Sequence, residues 1–231
     1  AIGAEAADGD VVHFLDADLV LFPEHIEAHM RWHHLADYLV VLGRVRFTPG
    51  LDETPAGEVL AAIEAGALAK LYAEEDTVPQ WTERHWDESA DLRTAGLRAF
   101  HVTVGATTSL PAELLRTAGG VDRALVLGED TELGYRLAQQ GAVFVAERAA
   151  RCWHLGPSTV MRREREVKRH NWPYLAERVP TFRWLRRHPA RSHLVPYVEV
   201  VVPVGNASFE AVRATVDGVL AARPADLTVT I

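Results

Sequence analysis

Two carboxylates one residue apart, Asp16 and Asp18, close an apolar run that begins at Val11 and reads Val-Val-His-Phe-Leu. Side chains alternate along an extended chain, so the pair is expected to point one way and Ala17 the other. A short apolar run bounded by polar residues predicts a covered strand of a parallel sheet. Open α/β sheets bind ligands beyond the carboxyl ends of their strands, which is where the pair falls. Two hard oxygen donors there suit a divalent cation that carries a substrate's phosphates. A strand-end turn that merely caps the next helix is the plainer alternative, but Pro23 and Glu24 already supply a helix start.

A second acidic pair, Glu129 and Asp130, follows the apolar stretch Ala124 to Leu127. It opens a helix whose apolar positions Leu133 and Leu137 lie one turn apart, with Gly141 as a left-handed cap. Carboxylates in a first turn favour the positive end of the helix dipole, so capping alone stays open beside acid–base chemistry. His154 follows Trp153 in Trp-His-Leu-Gly-Pro. Such a histidine is either a packed structural residue or, as a neutral imidazole, a ligand for a transition ion.

An Asp-x-Asp after a strand occurs in two known families. In haloacid-dehalogenase-like phosphatases it extends to Asp-x-Asp-x-Thr/Val, which Asp16 to Val20 fits; a nucleophile and a general acid would follow. That chemistry also needs a lysine, and neither Lys70 nor Lys168 follows a convincing strand. The other family holds a metal on a diphosphate with the pair. Gly119-Gly120-Val121-Asp122, then Gly128 to Leu137, then Trp153 to Pro157 resembles the C-terminal half of a family 2, GT-A type nucleotide-sugar glycosyltransferase. The likeness runs from about residue 1 to 180. It implies an α/β fold, a mostly parallel Rossmann-like sheet flanked by helices and incomplete at its N-terminus.

The resemblance also implies roles. Asp18, His154 and Asp16 would hold Mn2+ or Mg2+, and Asp16, Ala17 and Asp18 would meet the donor. Asp130 would take the proton of the acceptor hydroxyl, supported by Glu129, which would also contact substrate. His101 to Thr107 reads as a strand running into small residues, so that a sugar approaches the backbone at Gly105 and Ala106, with Trp153 as a further substrate contact. The family often has Asn where Thr107 stands and a cation shortly after Ser109; here Pro111 starts a helix that Gly119 ends. Transfer in one step would invert the anomeric centre.

The remaining features mostly have structural readings. Trp81 and Trp86 are either a sugar-stacking platform or loop aromatics. His25, His29 and His33 share one helical face, beside His34, and read as a surface stripe. Val59 to Ala73 reads as one amphipathic helix with Leu60, Ile63, Ala67 and Leu71 inward. Asn206-Ala207-Ser208 matches a glycosylation sequon at a strand–helix turn. A lone Cys152 forms no internal disulfide, in keeping with a reducing compartment. At 231 residues and 48% hydrophobic, the chain can bury one substantial core. A net charge of −8 argues against general nucleic-acid binding. No leader-like stretch or run of bilayer length is present. Locally, Arg162 to Arg191 is basic, either a solvated face or a contact for diphosphate, membrane surface or polymer.

Three segments are expected: 1–180, the C-terminal portion of a transferase domain; 181–196, a basic linker; and 197–231, a βαβ opening of a second such domain. In the last, Tyr197 to Val204 and Leu227 to Ile231 are strands around a helix from Ser208 to Ala222, with Phe209, Val212, Val216 and Val219 inward. Gly205 stands where the family commonly has Tyr. Beginning at Ala1 without the usual first strand, the chain reads as a piece of a longer tandem transferase, weak in nucleotide binding and prone to self-association. The expected function is metal-dependent, inverting transfer of a sugar from a nucleoside diphosphate to a carbohydrate or other hydroxyl acceptor. It would occur in the cytoplasm, with peripheral contact to the inner membrane face. A non-catalytic carbohydrate-binding or scaffolding domain is the alternative class.

Overall fold

A computed structural model describes residues 2–49, 54–188, 191–222 and 226–231, in two compact units, 1–164 and 165–231. In the first unit the chain runs α1 (Ile2–Ala6), β1 (Val11–Leu15), β2 (Leu19–Leu21), α2 (His25–His33), β3 (Leu39–Thr48), α3 (Ala56–Glu64), β4 (Val78–Pro79) and α4 (Trp81–Glu88). It continues through β5 (Thr107–Pro111), α5 (Ala112–Thr117), α6 (Glu129–Gln139), β6 (Val143–Leu155) and α7 (Thr159–Arg162). One sheet carries the order β1-β5-β3-β6-β2, with β4 on β3.

The fold is α/β, with helices flanking a central sheet. Its longest ladder, β3 with β6, is parallel, while β1, β5, β4 and β2 join antiparallel. Leu39 to Leu42, unbroken apolar and fully buried, make β3 the covered centre, as such runs do in parallel sheets. β1, expected as a covered parallel strand, instead lies at an edge, antiparallel to β5, with only Val12 buried.

The register of β3 against β6 slips between Gly43 and Arg44, where Glu147 is followed by Arg151 as partner. The displaced Arg148 reaches Asp87, Asp91 and the Trp86 ring. Beyond the slip, Val45 packs with Ala106 and Cys152, and the Phe47 ring meets that of His154 at 4.8 Å. Trp153, on the alternate face, packs with Phe22, Leu68 and Tyr72.

Three expectations change here. The segment 59–73 is no single helix: α3 ends at Glu64, Gly66 turns left-handed at φ +62°, and Leu68–Lys70 form a separate 3-10 turn. Val59 and Leu68 therefore point inward, while Leu60 and Ile63 are exposed. His101 and Val102 belong to a 3-10 turn, Gly96–Val102, and the strand begins only at Thr107. His25 and His29 form no surface stripe, for both are fully buried against the sheet.

The second unit holds α8 (Glu164–Arg178) from its second residue onward, then β7 (Val198–Val201), α9 (Phe209–Leu220) and β8 (Leu227–Thr230). β7 and β8 pair in parallel around α9, as the βαβ reading expects. Ser208 caps α9 by accepting the Ala211 N–H, but Phe209, expected inward, is exposed. The segment 181–196 includes residues 189 and 190, which lie outside the described residues. Within it Arg186 is buried, reaching the Asp226 carboxylate at 3.0 Å, so the segment is tied into this unit.

Candidate active site

Asp16, Ala17 and Asp18 do not extend β1; they form the tight turn into β2, closed by the Leu19 N–H on the Asp16 carbonyl at 3.3 Å. Backbone bonds fix both ends, the Asp16 N–H to Ala106 and the Leu155 N–H to the Asp18 carbonyl. A turn, rather than strand alternation, thus brings the two carboxylates together. β2 pairs Leu19 with His154, setting the imidazole beside the turn. One ligand atom each from Asp16, Asp18 and His154 lies within 4.8 Å of the others, and His154 Nε2 is 3.5 Å from Asp18 Oδ1.

His154 Nδ1 lies 2.9 Å from the Gly156 carbonyl, which only accepts, so Nδ1 carries the proton and Nε2 presents a lone pair. That carbonyl is aimed by Gly156, held left-handed at φ +81°. Metal-binding histidines are oriented in this way, through the nitrogen that does not bind. Burial and the neighbouring Asp18 charge raise the Asp16 pKa, while His154 opposes them. Two crowded carboxylates with a directed imidazole lone pair fit a divalent cation, which would relieve that repulsion.

Asp16 also lines a cleft of about 200 Å³ with Leu15, Gly105, Glu129 and Asp130. Gly128, left-handed at φ +84°, starts α6 so that both acids occupy its first turn. Asp130 Oδ1 accepts the Thr131 N–H at 2.6 Å and its Oδ2 accepts the Gly105 N–H at 3.3 Å. Burial raises the Asp130 pKa against these bonds. Burial, then the Asp130 charge, raises that of Glu129, whose buried Oε2 has no hydrogen-bond partner. Gly134 lets α6 lie against the loop before Gly105: a Cβ there would stand 2.5 Å from Thr103 Oγ1 and 3.0 Å from the Phe100 carbonyl.

Asp16, Asp18, His154, Glu129, Asp130 and Gly105 therefore gather around one continuous region. Ala17 sits at the exposed turn, and Ala106 is buried beneath it. Trp153, expected to contact substrate, is not brought there; it is a core ring on the other face, its indole N–H 3.4 Å from the Leu68 carbonyl. Trp86 is likewise buried, while Trp81 is exposed, so they form no paired platform. The sequence did not point to Phe47 or Thr48, whose ring and hydroxyl secure His154, because their pairing with β6 is long-range. Cys152 nearby is buried, with its thiol pushed up to about 12 chiefly by that burial, which disfavours the reactive thiolate.

Residues 1–79 match the family model described as Glycosyl transferase family 2. Over 230 residues, 92% of its length, the chain is 25% identical to the chondroitin synthase of Escherichia coli. It spans about a third of the length of that curated relative, 33%.

Proposed function

From a chain that carries a family 2 glycosyltransferase domain, we infer an enzyme that transfers a sugar from a nucleoside-diphosphate donor to a carbohydrate or other hydroxyl acceptor, with inversion. The observation that carries this reading is Asp16, shared between the Asp18/His154 group and the cleft of Glu129 and Asp130. A leaving diphosphate and an attacking hydroxyl need such adjacent places.

Asp16, Asp18 and His154 would hold Mn2+ or Mg2+, which when bound takes up charge from the departing nucleoside diphosphate. Asp130 receives the acceptor's proton as the acceptor oxygen bonds to the anomeric carbon and the bond from that carbon to the diphosphate oxygen breaks. A carboxylate whose pKa burial has raised is a stronger base for that step. The unpartnered Glu129 oxygen is free to accept a further substrate hydroxyl and orient the acceptor. The small, open backbone at Gly105 leaves room for a sugar, with no heavy atom within 4 Å of a Cβ placed there.

The same proposal carries three segments with boundaries at 180 and 196, a cytoplasmic setting with peripheral contact at the inner membrane face, and self-association. None of the described helices is long and apolar enough to cross a membrane. The match to a transferase family sets the phosphatase alternative aside.

The test is turnover against a panel of nucleotide sugars with Mn2+ or Mg2+, with anomeric configuration read by NMR. Product of inverted configuration, dependent on added cation, supports the reading. Donor-independent carbohydrate binding without product would instead favour a non-catalytic binding domain.

A further inference from the structure

A second cluster on the same sheet face has no part in the chemistry above. His13 from β1 and His25 and His29 from α2 offer ligand atoms that all lie within 4.8 Å of one another. Their Nε2 atoms converge on one hydroxyl: Thr107 Oγ1 is 3.2 Å from His13, 2.9 Å from His25 and 3.2 Å from His29. His33 adds a fourth ring through Ser109 Oγ, which lies 2.8 Å from both His33 Nε2 and His29 Nδ1. Gly43 of β3 makes the space, since a Cβ there would stand 2.7 Å from Thr107 Oγ1 and 2.9 Å from His29 Nε2.

Donor–acceptor bookkeeping fixes the protons. His25 Nδ1, 2.9 Å from the Arg151 carbonyl, must donate, so His25 Nε2 is bare and accepts the Thr107 hydroxyl proton. His13 and His29 then donate from Nε2 to the lone pairs of Thr107. His29 Nδ1 is left bare and takes the Ser109 proton, and His33 Nε2 donates to Ser109. Two lone pairs remain over, on His13 Nδ1 and His33 Nδ1, and both atoms are buried without a partner. Burial pushes all four imidazoles toward the neutral form, His13 to about 4 and His29 to about 2.

We propose that His13, His25 and His29 form a binding site for one borderline transition ion such as Zn2+, separate from the Asp16/Asp18/His154 group. Three imidazole nitrogens suit a tetrahedral Zn2+ with one further position, where Thr107 stands. An all-nitrogen set disfavours Mg2+ and Mn2+, which prefer oxygen. The second shell is built as well: with Nε2 turned to the ion, His25 Nδ1 donates to the Arg151 carbonyl and His29 Nδ1 to Ser109. The rings are neutral beforehand, so binding shifts protons between ring nitrogens and releases none.

The experiment is titration of metal-stripped chain with Zn2+ or Co2+ alone, in an Asp16→Asn/Asp18→Asn background that removes the carboxylate group. One equivalent is expected to bind, with the visible absorption of tetrahedral Co2+. His13→Gln, on the sheet edge, should weaken binding by at least the roughly 10–100-fold that loss of an outer-shell partner costs. If His13→Gln fails to fold, side-chain 15N resonances of the unaltered histidines decide: Zn2+ should shift the Nε2 signals of His13, His25 and His29. Absence of binding in the Asp16→Asn/Asp18→Asn variant, unchanged affinity in folded His13→Gln, or unshifted Nε2 signals would overturn the site.

Discussion

The two histidine-containing clusters on one sheet face differ in solvent and in charge. At the Asp16/Asp18/His154 group the two carboxylates are exposed and the imidazole is buried, beside an open cleft of about 200 Å³. At the His13/His25/His29 group two of three rings are fully buried and every ligand atom is a neutral nitrogen. Gly43 clears the space behind the imidazoles, and Gly134 lets α6 lie against the loop that precedes Gly105 in the neighbouring acidic cleft. Convergence alone therefore says little about role. Water access and ligand hardness separate the proposed turnover site from the proposed imidazole ion site.

Removing chemistry from the cleft alone should break that comparison most sharply. Asp130→Asn is expected to lower turnover by about 10²–10⁴-fold, the usual worth of general-base catalysis, while cation and donor binding stay near normal. Near-normal turnover in a steady-state assay would reduce Asp130 to a helix cap.

Acid should separate the two regions by sign. His13 and His29 have folded pKa values of about 4 and about 2, below the ordinary 6.5. Their contribution to stability is full above 6.5 and is lost as pH falls toward those values. For His29 this loss is on the order of 3 kcal/mol between pH 6.5 and 4, at 1.36 kcal/mol per unit. Glu129, its pKa raised, acts oppositely, binding its proton more readily in the folded chain as pH falls. Urea midpoints against pH should fall through this window, and less steeply in His29→Gln. An equal slope in both would dismiss the buried imidazoles as its source.

Gly43→Ala tests the packing behind the imidazole cluster without touching a ligand. The added methyl meets Thr107 and His29 below 3.0 Å and should cost about 1–3 kcal/mol of stability, the usual penalty of overpacking. Unchanged urea unfolding would mean the cluster yields freely. The smallest effect is expected from Trp153→Phe, which forfeits the bond to the Leu68 carbonyl for about 1 kcal/mol and leaves turnover near normal. A large loss of turnover at normal stability would return Trp153 to the substrate site.

How much of this was legible in sequence depended on the range of the contacts. Local chemistry read through: the left-handed cap at Gly141, the helix opened by Glu129 and Asp130, the turn at Gly119 and the βαβ order of 197–231 each depend on neighbours a few residues away. Residue type and order pick out Asp16, Asp18, Asp130 and His154 as candidates, and the fold brings them to one region, although a turn rather than strand alternation joins the two aspartates. The sequence by itself determined these elements and residue types, because backbone sterics and capping are local. Tertiary structure alone decided which faces met. Helical spacing put His25 and His29 on one face, but only β5 and Gly43, distant in sequence, determined that this face is buried. Likewise Trp153 and His154, adjacent in the chain, were parted by strand alternation once β6 paired with β3 and β2, sending one ring to the core and the other to the site.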